Sequence, residues 1–128
     1  MIVLDTSAVL AILWREPEAD DFRNAIAEAE MALISTATLL ECAVVCMRRK
    51  GPANVEELDR LLEVLKVTSV AFDDSQSAIA RQAFETYRAG RHGLNFGDCF
   101  AYALAMARGL PLLFKGEDFA ATDVKRAV

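Results

Sequence analysis

Short aliphatic runs alternate along the chain with longer stretches in which apolar residues recur at helical spacing. Ile2 to Leu4, Ala32 to Ile34, Val67 to Phe72 and Leu112 to Phe114 predict buried strands. Ser7 to Trp14, Pro17 to Glu30, Thr38 to Lys50, Val55 to Lys66, Ser75 to Ala89 and Asp98 to Arg108 predict helices. The stretch from Val55 to Lys66 is the plainest of these. Val55, Leu58, Leu61, Leu62 and Leu65 share one stripe, and Glu56, Glu57, Asp59, Arg60 and Glu63 fill the rest. Gly51, Gly90 and Gly109 follow predicted helices as stops, while Pro17, Pro52 and Pro111 stand where elements should begin. Strands alternating with helices imply an α/β fold with a central, mainly parallel sheet flanked by helices on both faces. Ligands of such folds bind beyond the carboxyl ends of the strands.

Composition narrows the choice of function. The 128 residues are 54% hydrophobic and 26% charged, and no repeat, low-complexity tract or linker divides them, so a single domain over residues 1–128 is expected. A chain of this length buries roughly two-thirds of its unfolded surface and needs no metal or disulfide to hold its core. Any metal would therefore serve chemistry. The longest apolar runs, Ala8 to Trp14 and Cys42 to Met47, fall well short of the ~20 residues of a membrane span. Met1-Ile2-Val3-Leu4 meets Asp5 at once, without the basic region of a secretory signal, so the expectation is a cytoplasmic protein with no membrane contact. The 3 cysteines have no CxxC spacing and read as free, buried thiols. A net charge of -5 and a pI near 4.9 exclude a protein that coats nucleic acid by bulk positive charge.

The candidate chemistry lies in four carboxylates. Asp5 ends the first strand and is followed by the hydroxyls of Thr6 and Ser7; it also reads as the N-cap of the next helix. Glu41 stands in an apolar helix with no Lys or Arg within four residues; Thr38-Leu39-Leu40-Glu41 also matches a capping box. Asp98 opens an apolar helix, where a first-turn acid suits the helix dipole. Asp118, in Lys115-Gly116-Glu117-Asp118-Phe119 after the last strand, also fits a turn. Together the four would share one crevice of the sheet, and their repulsion demands a counter-charge. Oxygen ligands without a histidine or thiolate set suit Mg²⁺ or Mn²⁺. A cation held this way orients and activates a water beside a phosphate ester, which is the logic of metal-dependent nucleases.

The order Asp5, Glu41, Asp98, Asp118 resembles the acidic pattern of PIN domains. The chain is most similar to the VapC toxins of bacterial type II toxin-antitoxin pairs. Met1 to Ala8, Ser35-Thr36-Ala37 leading to Glu41, Gly93 to Tyr102, Pro111 to Phe119 and Thr122-Asp123-Val124 carry the likeness, which spans the whole chain. The resemblance implies a PIN-fold ribonuclease that hydrolyses RNA with Mg²⁺ or Mn²⁺, forms a homodimer and is silenced by a VapB-type antitoxin. By position, Asp5 and Asp98 would be the principal metal ligands and Glu41 a ligand or a base for the attacking water. Thr6 or Ser7 would support them. The fourth acid falls on Asp118, with the adjacent Glu117 leaving the alignment open by one residue.

Other signals are weaker. Arg88, Arg91 and His92 lie near the loop leading to Asp98 and are placed to touch an RNA backbone. Arg48-Arg49-Lys50 suits the end of a helix, and Trp14 suits either the core or a partner surface. Phe96, Phe100, Tyr102 and Phe119 are expected in the core rather than as base-stacking rings. Two rival readings remain. One is a phosphorelay receiver domain, with Asp73 or Asp74 as phosphoacceptor and Lys115 as its late lysine. The other is a catalytically inactive PIN-fold binding module.

Overall fold

The computed structural model describes all residues from Met1 to Val128. Strands β1 (Ile2–Leu4), β2 (Ala32–Ser35), β3 (Thr68–Val70) and β4 (Leu112–Leu113) form one sheet in the order β3-β2-β1-β4. All three pairings are parallel, with Val3 opposite Leu33 on one side and Leu112 on the other. Helices α1 (Thr6–Leu13), α2 (Ala19–Glu28), α3 (Thr36–Lys50), α4 (Pro52–Val64), α5 (Asp74–Tyr87) and α6 (Phe96–Arg108) complete the chain.

Strand periodicity divides the interior into two cores. Ile2, Leu4, Ala32, Ile34 and Leu113 pack with residues of α1 to α4, while Val3, Leu33 and Leu112 pack with α5 and α6. A one-residue slip of register would exchange these sets, so burial on both faces fixes the pairing. Leu58 and Leu104, each fully buried, anchor the two helical layers and contribute roughly 1.5–3 kcal/mol apiece. The helix order and the parallel sheet agree with the expected α/β architecture. No helix is long and apolar enough to cross a membrane.

Element ends depart from expectation for local reasons. Helix α3 begins at Thr36 instead of Thr38 because Ser35, the last residue of β2, caps it by accepting the Ala37 N–H at 3.2 Å. Strand β3 is shorter than Val67 to Phe72, and Thr68 and Ser69 are exposed at the sheet edge. Gly51 does close α3, at φ 91°, and leads directly into Pro52 at the first position of α4. Gly90 does not cap α5, which ends at Tyr87 with Arg88 as its C-cap; it turns the loop that follows. Among the aromatic rings expected inside, Tyr102 and Phe119 are buried and Phe100 is half-buried, but Phe96 is 77% exposed.

Candidate metal centre

Asp5 immediately follows β1, and its backbone N–H extends the sheet by donating to the Leu113 carbonyl at 3.0 Å. It caps α1 as well. Its Oδ2 accepts the Ser7 N–H at 3.0 Å and the Ser7 hydroxyl at 2.6 Å. Both bonds fall on one oxygen, and the other, Oδ1, is buried without a partner. Burial raises the Asp5 carboxyl to about 6, and the Glu41 charge adds to the rise against the Ser7 hydrogen bonds.

Asp98 shows the same division of labour. Asn95 and Asp98 form a capping box at the start of α6: Asn95 Oδ1 accepts the Asp98 N–H at 2.8 Å, and Asp98 Oδ2 accepts the Asn95 N–H at 3.0 Å. Capping uses only one carboxylate oxygen. Burial pushes the Asp98 carboxyl up to about 7, opposed by the Asn95 bond and reinforced by the charges of Asp5, Asp118 and Glu41. The charges of the other three acids named from the sequence thus reach Asp98. Asp118 is exposed, and of the Glu117–Asp118 pair its charge is the one that raises Asp98.

Glu41 does not form the capping box that its spacing from Thr38 allows. Ser35 occupies the cap of α3, the Thr38 hydroxyl is buried without a partner, and Glu41 Oε1 accepts from the Thr6 hydroxyl of α1. Thr6 thus holds Glu41, while Ser7 holds Asp5 and also accepts the Lys115 N–H at 3.0 Å. Arg88, Arg91 and His92 are exposed on the segment between α5 and α6, and none forms an ion pair. Lys115 is committed elsewhere, with Nζ 2.8 Å from Glu16 and 3.6 Å from Glu18. Asp73 caps α5 by accepting the Gln76 N–H at 2.9 Å, so of the two phosphoacceptors of the receiver reading it is occupied, and Lys115 is turned to Glu16 and Glu18.

Two contributors escaped notice in the sequence. Asn95 stands three residues before Asp98, a legible capping spacing, and Gly97 sits inside the first turn of a helix, where glycine is unfavourable. The donor set suits a hard divalent cation: carboxylate oxygens only, an unpartnered Oδ1 on Asp5, and two carboxyls raised by burial and mutual repulsion. No three acidic, histidine or cysteine side chains converge on one ion-sized point.

Comparison with known proteins identifies the family. The PIN domain family matches residues 2–125. Ribonuclease VapC of Mycolicibacterium smegmatis is 49% identical over 125 residues, covering 96% of this chain and 97% of that protein. Ribonuclease VapC30 of Mycobacterium tuberculosis is 48% identical over 125 residues, covering 96% and 95%. Among solved structures, VapC20 of Mycobacterium tuberculosis, a sarcin-ricin loop cleaving toxin, aligns with a TM-score of 0.73 at 18% identity, over 97% of this chain and 96% of that one. VapBC2 from Rickettsia felis, bound to a DNA fragment from its promoter, aligns with a TM-score of 0.77 at 17% identity, over 98% and 96%. These two likenesses show the shared fold. The family match, the close relatives over nearly the whole chain and the acids at the carboxyl end of the sheet together place this protein in the PIN domain family, among the VapC ribonucleases.

Proposed function

We propose that this chain is a Mg²⁺- or Mn²⁺-dependent ribonuclease, the toxin of a type II pair, acting in the cytoplasm as a single PIN domain over residues 1–128. The observation that carries the reading is Asp5 Oδ1, a buried and unpartnered carboxylate oxygen that shares its surroundings with Asp98. Asp5 and Asp98 hold the cation. When bound, the ion lowers the pKa of a water, orients it and offsets charge on the phosphate oxygens. The Thr6 hydroxyl donates to Glu41 and holds its carboxylate, which would serve as a ligand of the ion or as a base for an attacking water. Asp118, exposed at the rim, completes the negative potential that draws the cation in. Arg88, Arg91 and His92 meet the RNA phosphates from the segment that enters α6.

A VapB-type antitoxin is the inhibitory partner, and a second copy of the chain is the other. Exposed apolar side chains support the homodimer. Helix α3 exposes Leu40, Val44 and Met47, while Phe84 and Phe96 are exposed beside a groove of about 750 Å³ between α5 and α6. Brief induction of the chain, followed by sequencing of newly formed RNA ends, tests the activity. New ends should appear with the native chain and not with Asp98→Asn. Identical end profiles for the two would favour the inactive binding module.

A further inference from the structure

Helix α6 carries a glycine at its second position, where helix propensity favours almost any other residue. Gly97 has no left-handed backbone of the kind that Gly51 and Gly109 adopt. Its missing side chain has a different use. A Cβ on Gly97 would overlap Oε2 of Glu41 and crowd its Cδ and Oε1, and these are the three atoms nearest to it. The carboxylate of Glu41 therefore lies over the bare α-carbon of Gly97, while the Thr6 hydroxyl donates to its Oε1.

We propose that Gly97 is a positioning residue for Glu41, its lack of a side chain forming the slot in which that carboxylate is held one residue from Asp98. The inference rests on the reading of Glu41 as a site acid. Gly93 makes the contrast. A Cβ there would strike the backbone carbonyl of Arg88, so substitution would disturb the loop itself. At Gly97 the obstacle is the end of a flexible side chain. Gly97→Ala should fold, with alanine favouring the helix, and should turn Glu41 out of the site.

A double-mutant cycle of Gly97→Ala and Glu41→Asp tests this, read by RNA cleavage and by the Mn²⁺-induced rise in Tm. Aspartate is one methylene shorter and withdraws from the α-carbon of Gly97. Gly97→Ala alone should keep or raise the metal-free Tm and lower kcat by about tenfold or more with little change in KM. Added to Glu41→Asp, it should cost less than about twofold further, and the Mn²⁺-induced Tm rise should follow the same pattern where cleavage is too slow to measure. Native activity in Gly97→Ala, a metal-free Tm lowered by several degrees, or the full loss recurring in the Glu41→Asp background would each overturn the inference. If Glu41→Ala cleaves at the native rate, the reading of Glu41 fails instead, a result separable because it does not involve Gly97.

Discussion

The Ser7 hydroxyl donates to Oδ2 of Asp5 at 2.6 Å and, in the same position, accepts the backbone N–H of Lys115 at 3.0 Å. One short side chain thus ties the acid after β1 to the backbone after β4. Ser7→Ala should strand a partly buried N–H and destabilise the protein by ~1–2 kcal/mol in chemical denaturation. It also removes a bond that favours ionised Asp5, so the acid limb of metal binding should move to higher pH. Ser7→Thr should restore both. Loss of stability without any change in the pH dependence of metal binding would confine Ser7 to holding the fold.

The raised carboxyls set the sign of the pH dependence. Asp5 at about 6 and Asp98 at about 7 both lie above their ordinary value of 3.8, so between pH 4 and 7 the folded protein binds more protons than the unfolded chain. Metal-free stability should therefore fall as pH rises through this window, by about 1.4 kcal/mol for each pKa unit separating the two states. Metal binding needs the ionised carboxylates, so affinity should weaken as pH falls below about 7. Thermal unfolding from pH 5 to 8 with EDTA, and again with Mn²⁺, checks both trends. A metal-free Tm that rises steadily with pH would contradict them.

Charge neutralisation gives a sharper version of the same expectation. Asp98→Asn can keep the capping oxygen that accepts the Asn95 N–H while removing the charge that Asp5, Glu41 and Asp118 repel. Above pH 7, where Asp98 is ionised, the metal-free variant should be more stable than the native protein, by ~3–6 °C in Tm for each 1 kcal/mol relieved. Asn95→Ala should do the reverse and cost ~1 kcal/mol as the capping box is lost.

An antitoxin that inserts an arginine among these acids would compete with the cation, because a guanidinium pairs bidentately with carboxylates. Rising Mg²⁺ should weaken antitoxin binding beyond the effect of an inert salt at equal ionic strength. Binding that responds to ionic strength alone would place the partner outside the crevice.

The homodimer is tested at exposed apolar residues of α3 and α5. Val44→Glu combined with Phe84→Glu puts charge on the exposed stretch of α3 and on the groove wall of α5. Light scattering should then give a monomer mass at concentrations where the native chain is a dimer. An unchanged mass would move the interface elsewhere.

Much of this fold is legible because both sheet faces are covered, so aliphatic triplets such as Ile2–Leu4 and Ala32–Ile34 stand out between amphipathic helices. Element ends are less legible, since caps such as Ser35 and Arg88 depend on where the chain next packs. Asp5 and Asp98 can be read from position, but not that each divides its two oxygens between a cap and the site. The fate of Glu41 is not local at all: its partner Thr6 is 35 positions away, and its slot is the missing side chain of Gly97. Phe96 looks like a core residue by composition, yet its place at the first turn of α6 leaves the ring outside.

On the proposed function, Asp5 and Asp98 hold a divalent cation that RNA cleavage requires. Calorimetric titration of Mn²⁺ into the native, Asp5→Asn and Asp98→Asn proteins, with cleavage of a labelled RNA measured on the same preparations, tests it most directly. Mn²⁺ affinity and cleavage should fall together in both variants, while circular dichroism shows the fold intact. Full cleavage by Asp98→Asn in the presence of EDTA would contradict the claim.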